Sequence, residues 1–185
     1  MAERFRICFV CLGNIVRSPL AENLFLHLAE QAGLDDKFQV DSAGTASWHV
    51  GEAPDGRMRR VAAAHGLRYD GRSRQFESGD FERFDLIVAM DQENRHDLLH
   101  LAPRPEQRLK VRLLREFDPQ GGAGQAVPDP YYGTIHDFDE TYRIVERSLR
   151  GLLQALVSEH ALGSERTPSG QPGQTGQAAG EQPPT

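Results

Sequence analysis

The chain has 185 residues, 38% of them hydrophobic and 26% charged. That is enough for one globular domain with a single core and too little for two large ones. A formal net charge of −6 excludes the broad basic surface by which proteins hold nucleic acid or anionic membranes, so any anion must be captured by a few well-placed donors.

In chain order, the first strand is expected at Phe5–Val10. Its apolar stretch is too short for a signal-peptide core or a bilayer span, and the two cysteines, Cys8 and Cys11, are expected to be thiols in a cytoplasmic, reducing compartment. After the turn Cys11–Pro19 comes a helix with Leu20, Leu24 and Leu28 on one face, Ser18 as its N-cap and Pro19 at its first position. A second strand is expected at Gln39–Ala43. Beyond Pro54, a helix carries Met58, Val61, Ala62 and His65 on one stripe, and Gly66 can end it.

A third strand is expected at Asp85–Ala89, then a helix capped by Asp91 and running to about Leu101, then a fourth strand at Lys110–Leu114. The last helix is expected to open with a capping box from Asp137 to Glu140 and to bury Phe138, Tyr142, Val145, Leu149, Leu152 and Leu156. From Gly163 the chain has no Ile, Leu, Val or aromatic residue. The folded domain is therefore expected to span 1–162, followed by a disordered Gly/Pro/Gln-rich tail over 163–185.

Strand–helix alternation with short connections specifies an α/β fold: a single domain on a four-stranded parallel twisted sheet with helices on both faces. Ligands of such folds bind at the carboxyl ends of the strands, which directs attention to the turn after the first one. It reads Cys11-Leu12-Gly13-Asn14-Ile15-Val16-Arg17-Ser18-Pro19. Backbone N–H groups of such a loop can converge on an anion, backed by the positive end of the helix. Gly13 and Asn14 tolerate the left-handed angles that a tight loop demands. Arg17 has a planar fork matching two phosphate oxygens. Cys11, at a helix N-terminus beside Arg17, is placed to react as a thiolate, and Ser18 to steady that thiolate.

Cleaving a phosphate ester also needs a proton for the leaving oxygen. Asp129, in Val-Pro-Asp-Pro-Tyr-Tyr-Gly, is the favoured donor. Asp118, which also precedes a proline but has no aromatic neighbours, is the alternative. Trp48, Tyr131 and Tyr132 are candidate groove walls, and Asn14 and Ser42 are expected to hold the loop by hydrogen bonds.

The string Val-Cys-Leu-Gly-Asn-Ile-Val-Arg-Ser-Pro from Val10 resembles the phosphate-binding loop of the low-molecular-weight protein tyrosine phosphatases. Asp129-Pro130-Tyr131-Tyr132 resembles their general-acid loop. Asp41-Ser42-Ala43-Gly44-Thr45, Ser73-Arg74-Gln75-Phe76 and Val88-Ala89-Met90-Asp91 match further stretches of that family in order. The resemblance, covering about Arg4 to Leu156, implies hydrolysis of protein phosphotyrosine and aryl phosphates through a phosphocysteine intermediate, without cofactor or metal. It implies Cys11 as nucleophile, Arg17 as clamp and Asp129 as acid and then base. It also implies a substrate pocket of Leu12, Gly13, Asn14, Ile15, Val16, Trp48, Tyr131 and Tyr132, phosphotyrosine proteins as partners, and a monomer.

Other readings are weaker. Cys8 and Cys11 form a C-x-x-C pair, but three positions apart on a strand their side chains face opposite ways, and zinc would need two more ligands. Arsenate reductases with this fold need downstream cysteines that the chain lacks. Protein-arginine phosphatases carry Thr where this chain has Ile15, and a non-catalytic phosphotyrosine-binding module would have lost the nucleophile, clamp or acid. His96 and His100, one helical turn apart, have no evident third ligand. Many family members have a second cysteine where this chain has Val16, so no protective disulfide with Cys11 is expected.

Overall fold

A computed structural model describes residues 3–122 and 124–160. In chain order its elements are β1 (Phe5–Cys11), α1 (Arg17–Gln31), β2 (Phe38–Gly44), α2 (Gly56–Ala64), α3 (Asp80–Arg83), β3 (Leu86–Ala89), α4 (Gln92–Leu101), α5 (Pro105–Arg108), β4 (Val111–Leu113), a 3₁₀ turn (Leu114–Phe117) and α6 (Ile135–His160). The expected boundary at Leu162 and the segment 163–185 lie outside the described residues.

The four strands form one parallel sheet in the order β2-β1-β3-β4, the expected architecture. β1 is buried on both faces, so its residues read as a near-continuous apolar run, as central parallel strands do. Its two-residue period still sorts the core. Ile7, Phe9 and Cys11 join the layer beneath α1, α2 and α6, while Cys8 and Val10 join the opposite layer with Phe81, Leu98 and Val111. Cys8 and Cys11 are both buried free thiols, on opposite sides of the sheet. The α6 stripe Phe138, Tyr142, Val145, Leu149, Leu152 and Leu156 is buried throughout.

The order of the strands positions the site. From β1 the chain crosses to β2 on one side, and from β3 to β4 on the other. The connections leaving the carboxyl ends of the adjacent strands β1 and β3 therefore diverge, opening the crevice in which open parallel sheets hold their ligands.

Three local expectations are corrected. The third strand begins at Leu86, one residue later than expected, and the Asp85 carboxylate before it accepts from the Arg6 N–H and guanidinium at 2.8–3.1 Å. α1 begins at Arg17, so Ser18 lies inside the helix and does not cap it. At the start of α6 the Asp137 carboxylate is engaged backward rather than toward Glu140: the Thr134 N–H and hydroxyl both donate to Asp137 Oδ2, at 2.6 and 2.9 Å.

Asp118, the alternative acid, has a fully buried side chain. It accepts from Arg147 Nε at 2.7 Å, Arg147 Nη2 at 2.9 Å and the Gln120 N–H at 2.9 Å, and it pairs with Arg115 at 3.0 Å. Burial pushes its carboxyl upward, but the Arg147 fork, the Gln120 N–H and Arg115 outweigh it, and the net shift is downward. Asp118 thus ties the 3₁₀ turn to α6. Asp118→Asn should cost about 2–3 kcal/mol, towards the low side for breaking a buried pair because the arginines keep some water. A depressed carboxylate stabilises the fold above its unfolded pKa of roughly 3.9 and loses that contribution as pH falls through the lower folded value. Urea titrations should show a constant gap between wild type and Asp118→Asn from neutral pH to about pH 5, closing in stronger acid. A gap unchanged down to pH 2 would contradict the ion-pair account.

Candidate active site

The loop leaving β1 folds back on its own first residue. The Asn14 N–H donates to Cys11 Sγ at 3.3 Å, which requires Asn14 to adopt a φ of +55°, an angle that Asn tolerates better than most residues. Gly44 makes room for this turn. It sits opposite Cys11 at the end of β2, and a Cβ there would lie 2.8 Å from Leu12 O and 3.1 Å from Asn14 N. Only glycine lets the loop rest on the strand end.

Behind the loop runs a chain of side chains. Asn14 Nδ2 donates to Ser18 Oγ at 2.8 Å and to Ser42 Oγ at 3.0 Å, while Asn14 Oδ1 accepts from the Arg74 N–H at 3.0 Å. Ser42 donates to Glu22 Oε2 at 2.5 Å. Burial pushes the Glu22 carboxyl upward, and the Ser42 hydroxyl only partly restores it. Ser18 Oγ lies 3.0 Å from Cys11 Sγ and 3.3 Å from Ala43 O. Ser18 thus accepts from Asn14 and can donate either to Ala43 O or to the Cys11 sulfur, which can itself be the donor of their 3.0 Å contact.

Arg17 is 2% exposed. Its Nη1 donates to Asp91 Oδ2 at 2.7 Å and Val127 O at 3.0 Å, and its Nη2 lies 3.5 Å from Asp129 Oδ2. Nε is buried and has no hydrogen-bond partner among the described residues. One edge of the guanidinium is thus anchored, and the Nε–Nη2 edge is available to a ligand. Burial works against its charge, but Cys11, Asp91 and Asp129 more than offset this, so the net shift is upward and Arg17 stays cationic. Asp91 performs two tasks: Oδ1 caps α4 by accepting from the Asn94 N–H at 2.8 Å, and Oδ2 anchors Arg17.

A cleft of about 170 Å³ opens over the loop, lined by Cys11, Leu12, Gly13, Ile15, Val16, Arg17, Trp48, His49, Asp129, Tyr131 and Tyr132. Asn14, Ser18 and Ser42 stand behind it in the network just described. Asp129 is 42% exposed on the rim, with Oδ1 held by the Tyr131 N–H at 3.1 Å. Trp48 and Tyr132 are largely exposed, and Tyr131 meets Tyr132 edge to face at 5.0 Å. The structure therefore brings together every residue expected at the site.

It also gives a place to four that were assigned no role at the site: Asp91 as anchor of Arg17, Gly44 as seat of the loop, Glu22 at the end of the network, and His49 in the wall. The His49 ring packs on Gly13, with Nδ1 2.8 Å from Glu52 Oε2. Asp91 and Gly44 lie in stretches that match the family, but Asp91 was otherwise read only as a helix cap. A histidine next to Trp48 was the one local signal for His49. His96 and His100 are exposed on α4, outside the cleft, with ring centroids 6.0 Å apart. Among the described residues no three His, Cys, Asp or Glu side chains gather as a metal site.

Residues 6–162 match the family described as low molecular weight phosphotyrosine protein phosphatase. The chain belongs to that family. It is 47% identical over 153 residues to the low molecular weight protein-tyrosine-phosphatase of Streptomyces coelicolor, covering 82% of this chain and 93% of the relative. Its fold superimposes on the protein tyrosine phosphatase of Entamoeba histolytica with a TM-score of 0.80 and 37% identity, over 84% of this chain and 99% of that one. The arginine phosphatase YwlE, of which a Bacillus subtilis form is also similar, superimposes with a TM-score of 0.76 at 28% identity, over 85% of this chain and 99% of that one. Among the described residues no helix is long and apolar enough to cross a membrane.

Proposed function

We propose that this protein is a cytoplasmic phosphatase that hydrolyses phosphotyrosine in proteins, and simple aryl phosphates, through a phosphocysteine intermediate. The observation that carries the reading is the arrangement around one sulfur. Cys11 Sγ lies in a loop whose helix is led by Arg17, the free guanidinium edge faces the same cleft, and Asp129 stands on its rim.

In the first half-reaction the Cys11 thiolate attacks phosphorus from the side opposite the ester oxygen. The S–P bond forms as the P–O bond to the phenol breaks, and Asp129 gives its proton to the departing oxygen. The loop N–H groups and the Arg17 Nε–Nη2 edge hold the three equatorial oxygens, whose charge they meet best in the trigonal-bipyramidal state. In the second half-reaction the Asp129 carboxylate takes a proton from water, the water oxygen bonds to phosphorus, and the P–S bond breaks. The Ser18 hydroxyl steadies the thiolate that leaves. Trp48, Tyr131 and Tyr132 flank the cleft where the phenyl ring would lie, and their height favours phosphotyrosine over the shorter phosphoserine.

The test is phosphate release from a phosphotyrosine peptide and a matched phosphoarginine peptide, with EDTA present. Release from phosphotyrosine with little from phosphoarginine is expected, since Ile15 offers the cleft an apolar wall and no acceptor for a guanidinium. Release from phosphoarginine alone would keep the nucleophile and replace the substrate. Binding of either peptide without release would make the protein a recognition module.

Oxidation offers a separate check. With Val16 beside the loop and Cys8 across the sheet, oxidised Cys11 has no intramolecular thiol to meet. Peroxide should inactivate the enzyme progressively without an internal disulfide. Mass spectrometry detecting a Cys8–Cys11 bridge after mild peroxide, with activity restored by thiol, would refute this.

A further inference from the structure

The cleft is assembled from two loops far apart in sequence, one carrying Cys11 and the other Asp129, and catalysis depends on the distance between them. Arg17 supplies one connection, through Val127 O and the long contact to Asp129. A second runs outside the cleft, through the start of α2.

The Asp55 N–H donates to Ile15 O, within the phosphate loop, at 2.8 Å. The Asp55 side chain caps α2 by accepting from the Arg57 N–H at 2.8 Å, and it holds the Arg57 guanidinium at both oxygens, Nε at 3.1 Å and Nη2 at 2.7 Å. The remaining nitrogen, Nη1, donates to Tyr131 O at 2.9 Å. The guanidinium lies over the rings of Tyr131 and Phe138, 5.2 and 4.6 Å from their centroids. Tyr131 is the residue whose N–H holds Asp129 Oδ1. Its carbonyl is thus fixed by Arg57 while its N–H orients the acid. Burial pushes the Asp55 carboxyl up, but Arg57 and the helix N–H groups pull it down on balance, so the Asp55–Arg57 pair stays charged near neutral pH.

The geometry points to Arg57 as a positioning residue for the general acid: with Asp55 it sets the Asp129 carboxyl against Cys11 without touching substrate. This rests on the proposed roles of Cys11 and Asp129. Arg57 makes contacts that lysine cannot reproduce, because a single ammonium cannot grip both Asp55 oxygens and Tyr131 O in one plane. A displacement of about 1 Å at a catalytic group costs on the order of a hundredfold.

Leaving-group dependence separates positioning from a merely structural role. Phenol, with a pKa of roughly 10 like tyrosine, needs a proton to leave, whereas 4-nitrophenolate departs without one. The quantity to measure is kcat/KM, which reports steps up to cleavage of the ester. Arg57→Met keeps the aliphatic stem and should lower kcat/KM on phenyl phosphate about 10- to 100-fold, while changing it less than about threefold on 4-nitrophenyl phosphate. Arg57→Lys should fall between Arg57→Met and wild type. In an Asp129→Asn background, Arg57→Met should cost nothing further on phenyl phosphate, since residues acting as a unit are non-additive.

Equal losses on the two substrates, or a full additional loss in the Asp129→Asn background, would reduce Arg57 to a structural role and leave the acid assignment standing. If Asp129→Asn itself showed no preference for the nitrophenyl ester, the acid assignment would fall and the role of Arg57 with it. Should Arg57→Met not fold, Arg57→Lys carries the same comparison, and parity of its losses on the two esters overturns the proposal.

Discussion

Cys11→Ser should lose turnover of phosphotyrosine by roughly 10⁵- to 10⁶-fold, the scale on which removing a covalent nucleophile is felt, while still binding the phosphopeptide. The oxygen is smaller than sulfur but has the same connectivity and can still accept from the Asn14 N–H, so the loop and the network behind it can persist. What disappears is the sulfur nucleophile: a hydroxyl is far less nucleophilic toward phosphorus and a poorer leaving group in the second half-reaction. The Arg17 edge and the loop that hold the phosphate are untouched by the change, so binding should be kept. Initial rates of phosphate release and calorimetric titration with a phosphotyrosine peptide measure the two effects separately. Retention of more than about 1% of wild-type kcat/KM would show that another group attacks phosphorus.

Arg17→Lys should lower kcat/KM by about 10³- to 10⁴-fold, equivalent to roughly 4–5 kcal/mol of transition-state stabilisation. The charge is kept, so the size of the loss measures geometry. One edge of the Arg17 guanidinium is committed to Asp91 at 2.7 Å and Val127 O at 3.0 Å, leaving Nε and Nη2 for the ligand. A lysine ammonium drawn to Asp91 cannot also present two parallel donors to phosphate. It also releases Val127, two residues before Asp129, and so loosens the acid loop. Vanadate, which takes the trigonal-bipyramidal geometry, should lose affinity far more than inorganic phosphate in this variant. Equal losses for the two ions would mean that Arg17 serves ground-state binding alone.

The residues that were legible beforehand share a property: their roles depend on neighbours in the chain. Cys11 to Pro19 form one contiguous loop between a strand and a helix, and its residue types already state the requirements of an anion nest. Asp129 stood out from Asp118 through its flanking prolines and tyrosines, and burial of Asp118 against Arg147 agrees with that choice. The periodic stripe of α6 located the core face of that helix. Caps were read less well, because Ser, Thr and Asp compete for the same backbone donors within a few positions. Asp137 turned its carboxylate back to Thr134, and Ser18 placed its hydroxyl against Cys11.

The residues that escaped notice act across long stretches of chain. Asp91 meets Arg17 from 74 positions away, Arg57 meets Tyr131 from 74 away, and Gly44 is needed because the pairing of β1 with β2 places it against Cys11. The family-like stretches around Gly44 and Asp91 flagged those segments, but nothing local tells what an aspartate that is already an adequate helix cap, or a glycine at a strand end, does at a site.

The chain's local order thus settled the α/β class and marked out the loop from Cys11 and the segment around Asp129 as the candidate nucleophile and acid, because backbone conformation, periodicity and a contiguous motif are properties of neighbouring residues. Which side chains hold that loop, anchor Arg17 and orient Asp129 was decided by the strand order β2-β1-β3-β4 and the packing of α2 and α6. Those contacts close only when segments dozens of residues apart are brought to one sheet edge, and burial of the apolar layers, rather than any local preference, brings them there.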